Sequence, residues 1–325
     1  MNANNKITEL IEISIIIVNY NTADFLRNCL RSIEEKLIDF SYEVIVVDND
    51  SPRRNIEELP SEFPTVRFIL RKENDGFGSG CNYGAGLCSG KYLLFLNPDI
   101  ILIDDSVKKL KDYLDKNPNC GIVSGLLVDE NSSVLYCFND FPSFMWEFYH
   151  LIGYGYDEKI HKLINKKEII NNEKFETDWF HGAYFMINKD YFFQTGGFNE
   201  NYFIYYEDVE LCYKSKKIMN RKNICIPDSR VFHHTKSSLV NESMDNIYIF
   251  HLQRSKILFY KNYSFFKRLI LNFTGIMYVL IRIIFLPVWS KYKCNKMEKF
   301  NQLRKILKLY FSSVYLKESK YEYIK

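Results

Sequence analysis

The sequence predicts an α/β fold in which a mostly parallel central sheet is flanked by helices. Residues 13–18 and 44–47 are continuous, largely β-branched apolar runs, which are typical of strands covered on both faces. Segments with helical spacing alternate with such runs in the first half of the chain, and serial β-α-β units imply parallel pairing. Acidic residues follow several of the runs, at the strand ends where open α/β sheets bind ligands.

The elements of the first half can be placed one by one. After the strand at 13–18, Asn21 and Thr22 are candidate caps of a helix. The apolar residues of that helix recur at helical spacing: Phe25, Leu26, Cys29, Leu30 and Ile33. Three further strands are predicted, at 44–47, 66–70 and 91–96. A glycine-rich loop and a helix of small residues at 81–88 separate the last two of these strands.

The second half of the chain is less regular. We predict a helix at 104–117, ended by Pro118, and a strand at 121–128. Residues 179–187 have a strand-like pattern and residues 209–219 a helical one. Residues 137–176 combine aromatic and charged side chains without a clear period. We therefore expect a variable insertion that lies over the ligand site at the strand ends.

The composition is that of a globular protein, with 47% hydrophobic and 26% charged residues among 325. This length allows one large core, or a domain of about 250 residues with an appendage. Residues 1–12 are polar and mixed in charge, so no signal peptide is expected. The eight cysteines contain no Cys-x-x-Cys pair. This absence favours the interpretation that the protein is cytosolic and that its cysteines are reduced and serve as small packing residues.

The charge is distributed unevenly along the chain. Residues 251–325 contain 16 Lys+Arg against 3 Asp+Glu, whereas residues 1–250 contain 27 against 37. We therefore predict two parts, a main domain at 1–250 and a basic, apolar helical extension at 251–325. Such an extension indicates an anionic surface as its partner, either a membrane or nucleic acid.

The apolar content of the extension favours the membrane and argues against nucleic acid. Residues 269–281 and 283–289 are apolar runs on either side of Arg282. Together they nearly reach the about 20 residues of a spanning helix, but Arg282 lies inside the stretch and Pro287 interrupts it. A helix that lies in the membrane interface fits better, as a peripheral contact. The alternative is a helical subdomain packed on the main domain.

The glycine-rich segment 74–86 is the first candidate for ligand contact. Its spacing does not match the Gly-x-Gly-x-x-Gly fingerprint of dinucleotide-binding proteins, and it follows the third strand instead of the first. No Walker-A sequence occurs either. Five glycines within eleven residues, flanked by Asn74 and Asn82, indicate a close backbone approach to a phosphate or sugar. Ordinary turn formation is the alternative.

Acidic residues with histidines form the second group of candidates. Asp99 ends the segment Asn97-Pro98-Asp99, and its carboxylate is a suitable ligand for Mg²⁺ or Mn²⁺. Such a cation can neutralise the charge of a diphosphate leaving group. The alternative is a simple turn after the strand, because Asn, Pro and Asp all favour turns. Glu207 and Asp208 follow an aromatic loop, and one of these carboxylates can take a proton from an attacking hydroxyl. Acids at a helix start also favour the helix dipole without any catalytic role. His233 and His234 are a weak metal-ligand signal on their own.

Taken in order, these segments resemble the family-2 glycosyltransferases with a GT-A fold, and most closely their rhamnosyltransferase-like branch. The resemblance covers about residues 13–238. Seven motifs carry it: Ile-Val-Asn-Tyr-Asn at 17–21, Val-Val-Asp-Asn at 46–49, the loop at 74–84, Leu-Asn-Pro-Asp at 96–99, Gly-Gly-Phe-Asn-Glu at 196–200, Tyr-x-Glu-Asp-Val-Glu-Leu-Cys at 205–212 and Val-Phe-His-His at 231–234.

The resemblance implies a donor pocket, a metal and a base. Val18 and Tyr20 would lie against the nucleobase, and Asp48 would accept a hydrogen bond from its ring NH. The rest of the nucleotide-sugar pocket would be lined by Asn74, Gly76, Phe77, Asn82, Asn97 and Asp99. Asn97 replaces the first acid of the family's Asp-x-Asp motif, while Asp99 and His233 would bind the metal, Mg²⁺ or Mn²⁺. Asp208 would be the general base with Glu207 beside it, and Trp179, His181 and Gly182 would meet the acceptor.

The implied reaction is inverting transfer from a nucleoside-diphosphate sugar to a glycan or lipid-linked acceptor, in cell-surface polysaccharide synthesis. Deoxythymidine-diphosphate rhamnose is favoured as the donor, and uridine-diphosphate sugars remain open. The expected location is the cytoplasm, at the inner face of the cell membrane. Two alternatives are kept: a non-catalytic sugar-nucleotide-binding module, and a sugar nucleotidyltransferase. The latter would need a Gly-rich, Lys/Arg-bearing loop after the first strand, where this chain has Asn19-Tyr20-Asn21.

Overall fold

The computed structural model describes residues 10–38, 41–52, 56–145, 147–148, 167–234, 242–286 and 296–312, with 242–248 described as backbone only. Its centre is a nine-stranded mixed sheet. The first half of the chain supplies β1 (Ile13–Asn19), β2 (Tyr42–Asp48), β3 (Arg67–Leu70) and β4 (Tyr92–Leu96). These four strands are parallel in the order β3-β2-β1-β4, which confirms the predicted β-α-β units.

The second half extends the sheet and makes it mixed. Its larger strands are β5 (Ile100–Leu102), β6 (Ile122–Val128), β10 (Tyr184–Asn188) and β11 (Asn223–His233). Strand β10 lies between β4 and β6 and is antiparallel to both, whereas β11 is parallel to β6 and antiparallel to β5. Three short strands complete the set: β7 (Phe138–Asn139), β8 (Phe175–Thr177) and β9 (Trp179–Phe180). Strand β8 pairs with β11, and β7 pairs with β9.

Helices lie along both halves of the chain. Those before residue 235 are α1 (Ala23–Lys36), α2 (Leu59–Glu62), α3 (Phe77–Ala85), α4 (Ser106–Lys116), α5 (Lys167–Ile170), α6 (Lys189–Gln194) and α7 (Glu207–Tyr213). Helix α1 buries Leu26, Cys29, Leu30 and Ile33, as its periodicity predicts. The strands β1, β2, β4 and β6 are almost wholly buried and form the centre of the main apolar core.

Two local predictions in the first half are wrong. Thr22 precedes α1, but its side chain makes no capping hydrogen bond and its hydroxyl donates to Asn19 Oδ1 at 2.8 Å instead. The helix expected at 81–88 is α3, but it begins at Phe77 and ends at Ala85, so part of the predicted glycine-rich loop is helical. Glycine is a poor helix former in isolation, so the tertiary packing of this segment overrides its local propensity.

Three predictions in the second half also need correction. The strand expected at 179–187 is two strands, β9 and β10, separated by residues 181–183. The helix expected at 209–219 is α7 from Glu207 to Tyr213, followed by a π-helical turn at Lys214–Ile218. The segment 137–176, expected to be irregular, contributes β7, α5 and most of β8, while residues 149–166 within it lie outside the described part.

Seven of the eight cysteines lie in the described ranges, and all seven are buried with free thiols. They are Cys29, Cys81, Cys88, Cys120, Cys137, Cys212 and Cys225. This agrees with their predicted role as small packing residues, whereas Cys294 lies outside the described residues.

The C-terminal helices are α8 (Glu242–Phe259), α9 (Phe265–Phe285) and α10 (Lys296–Ser312). The boundary expected between residues 250 and 251 falls inside α8. Phe259, Tyr260 and Leu271 belong to the main core, whereas a second, smaller cluster joins α8, α9 and α10. Helices α9 and α10 pack closely, because Gly275 lets the ring of Tyr310 approach the α9 backbone. The interruption expected at Pro287 lies outside the described residues.

Candidate active site

The carboxyl ends of β1 and β2 meet at Asn19 and Asp48, which are direct partners in the sheet register. Asp48 is buried, and its carboxylate accepts hydrogen bonds from Asn19 Nδ2 at 2.6 Å, the Ser51 amide at 2.9 Å and the Ser51 hydroxyl at 2.6 Å. The carboxylate predicted to face the nucleobase is therefore held in place by three protein donors. Val18 is buried in β1, whereas Tyr20 just beyond it is 45% exposed.

Arg71 adds a fixed cation to the same edge of the sheet. It follows β3, and its amide donates to the Asp48 carbonyl oxygen at 2.9 Å. Its guanidinium donates to Asn49 Oδ1 at 3.1 Å and to Asp75 Oδ2 at 2.9 Å. The Asp75 carboxylate offsets the charge of this guanidinium, whose remaining N–H groups can still donate to a nucleotide. Sequence reasoning missed Arg71, although its place directly after a predicted strand was a usable signal.

Two glycines of α3 allow this helix to lie directly on the sheet. A Cβ atom at Gly80 would lie 2.9 Å from Val18 Cγ1, and one at Gly84 would lie 2.7 Å from Ile16 Cγ2. Such distances are shorter than ordinary carbon contacts, so any larger residue would push α3 away from β1. Both glycines thus have a packing role, which the sequence analysis did not anticipate.

Gly76 serves a different purpose at the start of α3. Its φ of +96° lies in the region that glycine adopts readily, and Asn74 Oδ1 accepts a hydrogen bond from its amide at 3.0 Å. The next amide, that of Phe77, donates to the Phe203 carbonyl oxygen at 2.9 Å, and a Cβ at Gly76 would overlap this carbonyl. The turn therefore fixes α3 to the aromatic loop, by which we mean residues 198–206.

Asn82 forms a second connection between α3 and the aromatic loop. Its Nδ2 donates to the Phe198 carbonyl oxygen at 2.8 Å and to Glu200 Oε1 at 3.0 Å, while its Oδ1 accepts from the Phe198 amide at 2.9 Å. Both ends of the side chain are thus engaged within the protein. The residue predicted to line the donor pocket positions the loop that leads to Glu207 and Asp208.

Asp99 and His233 come together at the far side of the sheet edge. Asp99 precedes β5, and His233 ends β11, which pairs with β5 in antiparallel register. Their side chains are largely buried, with Asp99 Oδ1 3.5 Å from His233 Nε2. Asn97, at the end of β4, is fixed by its backbone, since its amide donates to the Ala183 carbonyl oxygen at 2.9 Å. The ring of His234 instead packs against Phe25.

A carboxylate and an imidazole at this spacing fit a divalent cation, because both are common ligands of Mn²⁺ and related ions. Within the described residues no group of three or more His, Cys, Asp or Glu side chains gathers around a common point. A cation held by Asp99 and His233 therefore needs further oxygen ligands from a substrate or from water.

His181 connects this pair with the acidic helix α7. Its ring centroid lies 6.1 Å from that of His233, and its amide donates to the Cys137 carbonyl oxygen at 2.8 Å. Burial lowers the pKa of His181, an effect that the nearby Asp208 carboxylate opposes and the His233 ring reinforces. His181 Nδ1 has no hydrogen-bond partner among the described residues. A neutral imidazole therefore separates the candidate metal ligands from Asp208.

Asp208 is held in a fixed orientation by two backbone amides. Its Oδ2 accepts from the Gly182 amide at 2.7 Å, and its Oδ1 accepts from the Val209 amide at 2.7 Å. Burial raises the pKa of Asp208, while His181 and these amides partly oppose the rise. Each oxygen keeps a second lone pair, so the carboxylate can still accept a proton from an approaching hydroxyl.

Glu207 differs from Asp208 in its surroundings. Its side chain is only 4% exposed and extends towards α3, where its Cβ would lie 3.6 Å from a Cβ at Gly78. Burial, followed by the charge of Asp208, raises the pKa of Glu207 well above its usual value. Glu207 therefore keeps its proton to higher pH than an exposed glutamate does, and Asp208 is the better candidate for a base.

The backbone just before these acids is strained and is supported by α8. Tyr205 and Tyr206 both have positive φ, at 66° and 70°, which costs energy for residues other than glycine. The Ser255 hydroxyl donates to the Ile204 carbonyl oxygen at 2.9 Å, and Arg254 Nη1 donates to the Asn201 carbonyl oxygen at 3.0 Å. Sequence reasoning missed this role of α8 because nothing in its local pattern indicates a long-range partner.

Trp179 lies in β9, on the same segment as His181 and Gly182. Its Nε1 donates to the Asp140 carbonyl oxygen at 3.0 Å, and its ring meets that of Tyr136 edge to face at 5.9 Å. The half-buried indole thus belongs to a small wall built from β9 and the neighbouring residues around 136–140.

The predicted residues fall into two groups in space. Asp99, His233, His181, Gly182 and Asp208 form one continuous series at the carboxyl edge of the sheet. Asp48, Asn74, Gly76 and Asn82 lie on the β1–α3 side, where their polar groups are mainly engaged within the protein. The first group offers ionisable side chains for chemistry, and the second fixes the backbone around it.

Comparison with known proteins shows the family to which this chain belongs. Residues 14–194 match the model of the family described as Glycosyl transferase family 2, which is more than half of the chain. The N-acetylglucosaminyl-diphospho-decaprenol L-rhamnosyltransferase of Mycobacterium tuberculosis is 24% identical over 236 residues, with 69% of this chain and 76% of that protein covered. The rhamnosyltransferase WbbL of Escherichia coli K12 is 27% identical over 209 residues, with 61% and 74% covered.

A solved structure gives the corresponding result for the fold. The mannosyltransferase PcManGT from Pyrobaculum calidifontis, in complex with GDP-Man and Mn²⁺, superposes with a TM-score of 0.55 at 13% sequence identity. The match covers 95% of this chain and 88% of that one. The family match and the sheet architecture agree, and we conclude that this chain belongs to glycosyltransferase family 2 and has a GT-A fold, with rhamnosyltransferases among its relatives.

Proposed function

We propose that this chain is an inverting glycosyltransferase that moves a sugar from a nucleoside diphosphate to a glycan or lipid-linked acceptor in cell-surface polysaccharide synthesis. The observation that carries the proposal is the position of Asp208. Its carboxylate is fixed by the Gly182 amide at 2.7 Å, and His181 separates it from the Asp99–His233 pair. A displacement reaction needs a base for the attacking hydroxyl and positive charge near the leaving group, and here Asp208 and the Asp99–His233 pair lie on opposite sides of His181.

In this reaction the acceptor hydroxyl approaches past Trp179 and Gly182. Asp208 accepts the hydroxyl proton as the acceptor oxygen forms its bond to the anomeric carbon. The bond from that carbon to the diphosphate oxygen breaks at the same time, on the opposite face, so the configuration inverts. Because the two amide donors already fix the carboxylate, little reorganisation is needed at the moment of transfer.

Asp99 and His233 would hold a divalent cation, Mg²⁺ or Mn²⁺. The cation would offset the negative charge that develops on the departing nucleoside diphosphate. The spacing of 3.5 Å between Asp99 Oδ1 and His233 Nε2 supports this assignment. Arg71 and the residues around Asp48 would bind the nucleoside part.

Rhamnose is the favoured sugar, with deoxythymidine-diphosphate rhamnose as the donor. Two relatives named rhamnosyltransferases support this choice, and one of them acts on a diphospho-decaprenol acceptor by its name. Uridine-diphosphate sugars remain the alternative donors. A lipid-linked acceptor would place the enzyme in the cytoplasm at the inner face of the cell membrane, with residues 1–250 as the transferase domain and 251–325 as its membrane-proximal extension.

A donor panel tests the proposal. Purified full-length chain would be incubated with several nucleotide sugars and Mg²⁺ or Mn²⁺, and release of the nucleoside diphosphate would be measured with and without chelator. Donor binding would be followed separately by calorimetry. We expect one donor to be cleaved in a chelator-sensitive manner, and an Asp99→Asn/His233→Ala variant to lose the metal response.

The two alternative functions give different results in the same panel. A binding module would bind a donor without releasing nucleotide, even when crude membrane lipid is supplied as acceptor. A nucleotidyltransferase would form pyrophosphate from a nucleoside triphosphate and a sugar phosphate. If no nucleotide sugar binds at all, the transferase proposal is wrong.

A further inference from the structure

Helix α9 exposes large apolar side chains near both of its ends, while residues 274–283 between them are buried or half-buried. Among the described helices, this one alone is long and apolar enough to cross a membrane, and only 22% of its most apolar 18-residue stretch is buried. One side packs on the protein through Leu271, Thr274, Gly275 and Val279. The other side exposes large apolar side chains: Phe265, Phe266, Leu269, Ile270, Phe273, Ile284 and Phe285.

Three of the exposed residues, Phe266, Phe273 and Ile284, are seven and eleven residues apart and so lie on one face of the helix, which we call the apolar stripe. Phe266, Phe273 and Ile284 are 76%, 60% and 67% exposed. A soluble monomer rarely exposes so many large apolar side chains in one row, which marks an interaction surface. The packed opposite face argues against a helix surrounded by lipid on all sides, and Arg282 stacks on the Tyr278 ring at 4.4 Å.

The charges next to this stripe identify its partner. On α10, the outward side alternates apolar and basic residues, with Phe300, Arg304, Lys308 and Phe311 all exposed. At the start of α9, Lys267 is exposed and lies near Lys217 of the π-helical turn. The pKa of Lys267 is lowered mainly because part of its side chain is buried, and secondly by the positive charge of Lys217. Glu298 is the only acidic residue between positions 251 and 312 of the sequence. An apolar stripe with basic flanks complements an anionic lipid surface.

Hydrogen bonds link the start of α9 to the segment beside the candidate acceptor entrance. The Asp140 carbonyl oxygen accepts from Trp179, and the Pro142 carbonyl oxygen accepts from the Tyr263 hydroxyl at 2.8 Å, just before α9. The residues that follow Pro142 expose a second apolar cluster, formed by Phe144, Met145 and Phe148. Glu147 anchors this cluster to Lys256 of α8 at 2.9 Å and to Tyr260, just after that helix, at 2.6 Å.

We propose that α9 and the cluster Phe144–Met145–Phe148 dock together on an anionic membrane, so that the acceptor reaches Asp208 from the lipid surface. The helix lies in the interface and does not span the bilayer. Only the second half of this statement, the origin of the acceptor, rests on the proposed transferase function. Lipid binding itself is measured without donor or acceptor, so its failure is distinguishable from failure of the transfer reaction.

The test uses the full chain and vesicles. Deleting α8–α10 would also remove Arg254 and Ser255, whose hydrogen bonds support the aromatic loop. Co-sedimentation would be measured with vesicles of phosphatidylcholine alone and with equal parts of phosphatidylglycerol. We expect binding to the anionic vesicles that weakens in high salt. The double variant Phe266→Ser/Phe273→Ser should lower the partition coefficient by about tenfold or more. A tenfold effect corresponds to the low end of the free energy gained by burying one large apolar side chain.

Two controls keep the result interpretable. Ile38→Ser removes an 80% exposed apolar side chain near the opposite, amino-terminal edge of β2 and should leave vesicle binding unchanged. Thermal unfolding of each variant would verify that it folds, and Arg304→Glu/Lys308→Glu tests the basic flank independently of the phenylalanines. The proposal is overturned if the anionic vesicles bind no protein, or if both double variants bind as well as the parent. It is also overturned if bound protein resists salt and alkaline washing, or if light scattering shows the stripe to be a dimer interface.

Discussion

The Gly182 amide donates a hydrogen bond to Asp208 Oδ2 over 2.7 Å. The donor lies in the interruption between β9 and β10, and the acceptor lies in the first turn of α7. A Cβ at Gly182 would lie 3.3 Å from both Cβ and Oδ2 of Asp208, so only a small residue leaves this contact undisturbed. The break in the expected strand at 179–187 is thus the feature that brings a backbone donor to the candidate base.

Replacing Asp208 with asparagine tests the base directly. The Asp208→Asn side chain keeps nearly the same shape but cannot accept the acceptor proton. We expect turnover to fall by about 10²–10⁴-fold, with donor binding unchanged by calorimetry. Glu207→Gln, which keeps a neutral side chain of similar size beside Asp208, should lower turnover much less. Full turnover in Asp208→Asn would contradict the assignment.

The pH dependence of turnover should reflect the raised pKa of Asp208. The base must be deprotonated, so the rate declines as pH falls through the pKa of Asp208 in the protein. Because burial raises this pKa, the decline should begin at a higher pH than for an exposed aspartate. A rate profile measured at saturating donor checks this, and the acidic decline should be absent from the residual activity of Asp208→Asn.

Glu207 should make the protein less stable as pH rises. Its pKa is raised in the folded state, so the folded protein binds more protons than the unfolded chain between the two pKa values. The stability contribution of Glu207 is therefore fully present below the unfolded value and is lost as pH rises through the folded value. Glu207→Gln should be more stable than the parent near neutral pH and should approach it at acidic pH. Urea unfolding over a pH series measures the difference; a constant gap would contradict the prediction.

Gly76 and Gly86 offer a matched pair for the start and end of α3. Gly76→Ala should lower the free energy of unfolding by at least about 1–3 kcal/mol, because its φ is +96° and the new Cβ overlaps the Phe203 carbonyl. Gly86→Ala should be neutral or slightly stabilising, since its φ is −64° and the nearest atom to a new Cβ is 3.5 Å away. Chemical denaturation of both variants is the measurement, and equal effects would show that the turn tolerates a side chain.

The buried pair of Lys256 and Glu147 should be costly to break from one side. Lys256 Nζ donates to Glu147 Oε2 at 2.9 Å, and Tyr260 donates to the other oxygen at 2.6 Å. Lys256→Met leaves a buried carboxylate without its cation, so we expect a loss of about 3–5 kcal/mol. Adding Glu147→Gln should restore part of this loss. The exposed Lys305→Met on α10 is the control and should change stability by less than about 0.5 kcal/mol.

Local patterns in the sequence determined the parallel half of the sheet and its family. The apolar runs at β1, β2 and β4 are fully buried, and a run of this kind is covered by its neighbours wherever it lies in the chain. The ordered motifs identified the family, and it was this resemblance that predicted Asp99 and His233 to lie together, at 3.5 Å in the structure. The uneven charge and the apolar tail likewise predicted an extension with a surface role.

The tertiary structure alone decided what the glycines and amides do. The helix expected at 81–88 begins four residues earlier, at Phe77, because Gly80 and Gly84 fit against Val18 and Ile16. Asn82 was predicted in the donor pocket, but its hydrogen bonds hold the aromatic loop. Gly182 and Asp208 are 26 residues apart, and α8 is still more distant from the loop that it supports. Periodicity reports burial and secondary structure, whereas these contacts depend on chain segments that only the completed fold brings together.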